Sequence, residues 1–113
     1  MRHDDVVRVR HMLDAAREAV ALARGKSRAD IDNDRAVALA LVKCIEIVGE
    51  AAAHVRREYR DAHLEVPWAQ IAGMRNRLVH GYFDIDFDRV WDTVTEDLPP
   101  LMVELESIIE AGQ

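Results

Sequence analysis

Cysteine is nearly missing from this chain: Cys44 is the only one in 113 residues. A lone thiol excludes an intrachain disulfide and a thiolate zinc cluster, and reads best as a small core residue. Proline and glycine are scarce, at three and five, and aromatic side chains make up 5% of residues. With abundant alanine, that scarcity favours helices over strands. No apolar run reaches membrane-spanning length without a charge, and Met1-Arg2-His3-Asp4-Asp5 has no apolar signal core. Both absences predict a cytoplasmic protein with no membrane partner. Basic charge is in deficit, since 15 Lys and Arg against 21 Asp and Glu leave a net charge of −6. Such a chain is not a general nucleic-acid binder, and any such contact needs a local basic patch on a repulsive background. A glycine-rich phosphate loop is absent. The histidines show no ligand spacing beyond the single i,i+4 pair of Glu50 and His54, so neither a metal nor a cofactor is expected. No serine or cysteine lies near His80 in sequence to act as a nucleophile.

What is present is helical periodicity. Val6, Val9, Leu13, Ala16, Val20 and Ala23 recur every three or four residues, which predicts a helix from Asp4 to Arg24, ended by Gly25. Lys26 to Asp32 reads as a polar connector. A second, longer helix is expected from Asp32 or Asn33 to about Tyr59. It is apolar almost all round, except for the stripe Lys43, Glu46, Glu50 and His54. That stripe is either a narrow solvated face or a wall of a cleft or subunit interface. Gly49, beside alanines, suggests a close crossing with another helix. Arg60 to Val66 reads as a connector, and Pro67 opens a third helix that runs to His80, with Gly81 just past its end. A fourth pattern holds Phe87, Trp91, Val94, Leu98, Leu101, Leu105 and Ile108 on one face, split or kinked at Pro99-Pro100. The fold expected is all-α, an up-down bundle of four helices in a single domain, residues 1–113.

Strong polar chemistry is concentrated in one place. Arg75, Asn76, Arg77, His80 and Tyr82 lie within eight positions, interleaved with Leu78 and Val79. Basic residues at a helix end that merely complement the macrodipole would be a plain structural account. On an ideal helix Asn76 and His80 share a face, whereas Arg75 and His80 are about 140° apart. The set suits a phosphodiester. Arginine offers a fixed fork of donors to phosphate oxygens, and histidine moves a proton near neutral pH. Arg75 would stabilise charge on a phosphorane while His80 acts on the 2′-hydroxyl or the leaving 5′-oxygen of RNA.

Arg75-Asn76-Arg77-Leu78-Val79-His80-Gly81-Tyr82 resembles the Arg-x4-His-x-Tyr signature of HEPN-domain ribonucleases, and in particular of HepT toxins from prokaryotic toxin–antitoxin pairs. Ile47-Val48-Gly49-Glu50-Ala51 resembles the family's Ile-Gly-Glu-Ala segment. Trp68-Ala69-Gln70-Ile71-Ala72-Gly73-Met74 resembles the run into the motif. Phe83-Asp84-Ile85-Asp86, Val90-Trp91 and Asp97-Leu98-Pro99 resemble the family's segment on the C-terminal side of the motif. The likeness covers most of the chain in order.

The resemblance implies a HEPN-like bundle and a homodimer in which two motifs face one cleft. It implies a metal-independent endoribonuclease that leaves 2′,3′-cyclic phosphate ends. It also implies a cognate minimal nucleotidyltransferase antitoxin (MNT) that adds AMP to the motif tyrosine, with a larger hetero-oligomer as one form of the pair. Carried over singly, Arg75 and His80 are the catalytic pair, Asn76 and Arg77 support them, Tyr82 is the modification site, and Glu50 matches the family's glutamate. Two other classes stay open: a non-catalytic nucleotide- or partner-binding subunit of a nucleotidyltransferase, and a helical dimerisation scaffold.

Overall fold

The structure, a computed structural model, describes residues 2–80 and 84–112. Helix α1 spans Arg2–Ala23; of the predicted stripe it buries Val9, Leu13, Ala16 and Ala23 and partly buries Val6 and Val20, and Met12 and Ala19 are buried beside them. Gly25, at φ +78°, takes the left-handed conformation that stops it. The expected connector after it contains a short helix, α2 (Arg28–Asp32). The Asp30 carboxylate accepts a hydrogen bond from the Ser27 backbone N–H at 2.7 Å, which caps the turn, and buried Ile31 anchors it.

Helix α3 spans Arg35–His54. Its cap is Asp34, whose side chain accepts from the Val37 N–H at 3.2 Å, slightly later than Asp32 or Asn33. The helix also ends earlier than expected, at His54 rather than Tyr59. Val55 is extended and buried, and the next residue is held by another helix. Asp5 of α1 accepts from the Arg56 backbone N–H at 3.0 Å and from its guanidinium at 3.0 and 3.1 Å. That tertiary clamp replaces the helical hydrogen bonds that would have carried α3 onward. A separate helix, α4 (Arg57–Ala62), takes the place of the expected end of that helix and of the first part of the expected connector. Its Tyr59 packs against the His63 ring at 4.4 Å and edge-on to Trp68.

The third predicted helix is corrected most. It begins near Pro67, but α5 covers only Trp68–Ala72, and a 3-10 turn covers Met74–Arg77. Leu78 then donates to the Arg75 carbonyl, and the chain becomes extended. Val79 forms an isolated antiparallel bridge with Ile85, and the Asp86 N–H donates to the Leu78 carbonyl at 2.6 Å. Ile71, Met74 and Leu78 are all buried, so the α-like spacing served the core in a different backbone conformation. His80 is therefore not the last residue of a helix.

Helix α6 (Phe87–Asp92) is capped by Asp86, which accepts from the Arg89 N–H at 3.1 Å. A π-turn, Thr93–Asp97, joins it to α7 (Leu98–Ala111). This widened turn is how the helix passes Pro99 and Pro100, which have no N–H for the preceding turn. The Leu98 N–H reaches back five residues to the Thr93 carbonyl, and the Thr93 and Thr95 hydroxyls each donate at 2.8 Å to carbonyls four residues back.

The fold is all-α, with no strand among the described residues. Helix α1 packs against both α3 and α7, and α3 packs against α5 on its other side. The α5 contact is close: a Cβ on Gly49 would lie 3.1 Å from the Ile71 carbonyl oxygen. Glycine there lets α5 and the 3-10 turn sit directly on α3, which brings the motif arginine to the exposed stripe of that helix.

Candidate active site

The exposed stripe of α3 faces a cleft. Lys43, Glu46, Ile47, Glu50 and His54 form its base, Arg8 and His11 of α1 form one wall, and Ala72, Arg75 and Asn76 form the other. The cleft encloses about 770 Å³. The stripe is solvated, with Lys43, Glu50 and His54 well exposed, and it also lines this cleft, so both readings of it hold.

Arg75 stands on the 3-10 turn, its side chain about half exposed. Its Nε donates to Glu46 Oε2 at 3.2 Å. That bond uses Nε, and neither Nη group hydrogen-bonds another described residue, so both keep donors that a phosphate would use. Glu46 also has the Lys43 ammonium 4.0 Å away. Asn76 lines the same wall. Arg77 does not line the cleft, and its Nη2 donates to the Gln70 carbonyl at 3.0 Å, tying the 3-10 turn back to α5. Glu50 lines the cleft beside His54, whose Nδ1 lies 2.9 Å from the Glu50 carbonyl and 3.6 Å from its carboxylate.

His80 is placed differently from its neighbours in the motif. It lies past the bridge, more than half exposed and outside the cleft lining. Its backbone N–H donates to the Asp84 carbonyl at 2.8 Å, and its Nε2 is 3.9 Å from Asp86 Oδ2. Asp86 thus caps α6 with one oxygen and faces the imidazole with the other. The shared helical face expected of Asn76 and His80 is not formed, because the helical turn ends at Arg77. Tyr82 lies outside the described residues.

Sequence reasoning did not single out Arg8, His11, or the roles of Glu46 and Asp86 as partners of motif residues. Arg8 and His11 are three apart on α1 and so share a face, yet nothing in that spacing says that the face looks onto α3. Cys44 is in the core as expected, with its thiol pushed up to about 11 by burial and, secondarily, by the charge of Glu18.

A family model described as ribonuclease HepT-like matches residues 12–108. The chain belongs to the HepT-like ribonuclease family. A provisionally named RNase of Caldanaerobacter subterraneus subsp. tengcongensis is 33% identical over 100 residues, covering 88% of this chain and 89% of that protein. A provisionally named RNase of Methanocaldococcus jannaschii is 36% identical over 78 residues, covering 69% of this chain and 64% of its own length. The probable ribonuclease HepT of Thermococcus cleftensis is 36% identical over 75 residues, 66% of this chain and 68% of its own. No solved structure matches the chain significantly. The matched HepT-like stretch contains α3, the 3-10 turn and α6, and hence Glu46, Glu50, Arg75 and His80, whereas Arg8 and His11 precede it.

Proposed function

We propose that this HepT-like chain is the toxin of a type VII toxin–antitoxin pair, a metal-independent endoribonuclease. Membership of the family supports ribonuclease chemistry. The observation that carries the site assignment is Arg75, presented at a cleft wall with its guanidinium held from one side by Glu46.

Arg75 binds the scissile phosphate through its Nη groups. His80 removes the proton from the 2′-hydroxyl, the 2′-oxygen attacks phosphorus, and the bond to the 5′-oxygen breaks. That oxygen takes up a proton to become a 5′-hydroxyl, and the other end is a 2′,3′-cyclic phosphate. Asn76 and Glu50 support from within the cleft, and Arg77 supports by holding the 3-10 turn. The active form is a homodimer in which two motifs share a cleft.

Neutralisation is by AMP added to Tyr82 by a cognate MNT-type nucleotidyltransferase, the antitoxin. The added phosphate would pair with Arg75 in place of RNA. A second reading, an accessory subunit that binds without cleaving, is favoured by one feature: His80 lies outside its own copy's cleft lining, beside Asp86. Cleavage decides between them. EDTA-treated protein freed of its partner should cut RNA to cyclic-phosphate ends, and Arg75→Ala and His80→Ala should each lose on the order of 10²-fold or more in rate. Uncut RNA leaves the accessory reading. Co-expression with the transferase should raise the intact mass by AMP units on Tyr82, and Tyr82→Phe should escape this.

A further inference from the structure

The cleft has more to it than the Arg75 wall. Across α3 from Arg75, α1 contributes Arg8 and His11. We propose that Arg8 and His11 form a second phosphate subsite, which binds the RNA strand at least one nucleotide away from the phosphate held by Arg75. This rests on the ribonuclease reading and extends it to how the strand lies.

Charges within the cleft support a polyanion on this wall. Of the two carboxylates at its base, Glu46 is accompanied by Arg75 at 3.2 Å and Lys43 at 4.0 Å, whereas Glu50 has the His54 imidazole at 3.6 Å, which balances its charge only when protonated. Arg8 makes no ion pair or side-chain hydrogen bond with the described residues, although its charge helps to lower the Asp5 carboxyl. Asp5 itself is buried and turned to Arg56, so its oxygens are occupied. Arg8 thus keeps its donors for a ligand, with the His11 imidazole one helical turn away on the same face as a further hydrogen-bonding group. A guanidinium suits a phosphate because it presents a planar fork of donors.

The rest of the molecule narrows where a strand can lie. Residues 84–113 hold nine of the chain's 21 carboxylates and only one, Arg89, of its 15 Lys and Arg side chains. Those residues include α6 and α7, which line no part of the cleft. Asp88, Asp92, Glu96 and Asp97 are exposed there. A polyanion is repelled from that face and meets cations at the cleft, so the chain's net charge of −6 does not describe the surface that RNA would meet. A strand crossing α3 between the two walls puts one phosphate at Arg75 and a neighbouring one at Arg8.

The test compares wild type with Arg8→Ala, Arg8→Lys and His11→Ala, using two kinds of measurement. Binding is measured to a short 2′-O-methyl RNA oligonucleotide, which has several phosphates and cannot be cut. Cleavage is measured on the matching unmodified oligonucleotide and on a dinucleoside monophosphate, which has only the reacting phosphate. Arg8→Ala should weaken oligonucleotide binding about tenfold and flatten the slope of log Kd against log salt by about 0.7, the value of one lost phosphate contact on a single strand. It should raise KM for the oligonucleotide far more than it lowers kcat, with a loss about tenfold larger than on the dinucleoside monophosphate. Arg8→Lys should recover part of the affinity, and His11→Ala should weaken binding less than Arg8→Ala. Equal losses on both substrates, or unchanged binding and salt slope, overturn the subsite. If wild type binds but does not cut, the ribonuclease reading fails while the binding comparison still decides the subsite. If wild type does not bind, both fall.

Discussion

Glu46 on α3 accepts a hydrogen bond from Arg75 Nε at 3.2 Å, joining the base of the cleft to the wall that carries the motif arginine. The contact spans 29 residues of sequence and ties the guanidinium to the cleft base through Nε. Glu46→Gln keeps an oxygen that can accept from Nε, whereas Glu46→Ala removes it. Cleavage by the alanine variant should fall about tenfold in kcat, with the glutamine variant between it and wild type and melting temperatures little changed. Equal activity in all three proteins would show that Glu46 does not position Arg75.

Asp5 is predicted to hold the α3–α4 joint and to make the fold acid-sensitive. Burial alone would raise its carboxyl, but the hydrogen bonds from the Arg56 backbone and guanidinium, with the charges of Arg56 and Arg8, outweigh that and hold it below the usual carboxylate range. A carboxyl lowered in the folded state adds stability above its unfolded value near 3.8, and that stability is lost as pH falls through the folded value. Asp5→Ala should cost on the order of 1–3 kcal/mol at neutral pH, the range for leaving a hydrogen-bond partner unsatisfied. The difference between variant and wild type in urea unfolding should begin to shrink below about pH 4 and vanish only as pH falls through the lowered folded value, where wild type too loses the charge. A difference independent of pH would point to packing alone.

Gly49 should not tolerate a side chain. A Cβ 3.1 Å from the Ile71 carbonyl oxygen is tighter than ordinary contact, and the atom it meets is backbone, which cannot turn aside. Gly49→Ala should therefore push α5 off α3 and cost about 1–3 kcal/mol, the range for overpacking, despite alanine's better helix propensity. Because the 3-10 turn continues from α5, the same substitution should lower cleavage along with the melting temperature. A variant as stable as wild type would mean that the two helices separate without strain.

Cys44 should be nearly inert to thiol reagents while the protein is folded. Its thiol is buried and pushed up to about 11, so very little thiolate exists at about pH 8. Reaction with a disulfide reagent should be slow in buffer and fast in denaturant. Rapid labelling in buffer would show that α3 opens locally around Cys44.

Much of the bundle was legible in the sequence because burial leaves a periodic trace. The α1 stripe, the Gly25 stop and the core place of Cys44 all come from local rules that need no partner. The close crossing at Gly49 was legible as well, since glycine in a long helix is costly unless something must approach it. The family-like motif placed Arg75, Asn76 and His80 on one short stretch, but not on one surface.

The amino-acid order settled that the chain is helical, where its longest helices lie, and which residues carry the polar chemistry. Tertiary contacts settled where α3 stops and which polar groups meet. Asp5 ends α3 early by taking the Arg56 N–H from across the fold. The core accepts Ile71, Met74 and Leu78 equally from an α-helix or from a 3-10 turn leading into extended chain, so periodicity could not choose between them. That choice sends Asn76 into the cleft and His80 out to Asp86. Hydrophobic periodicity reports how often a residue faces inward. It carries no information on which distant side chain will compete for a backbone N–H, or which helix will supply the opposite wall, and those contacts built the cleft.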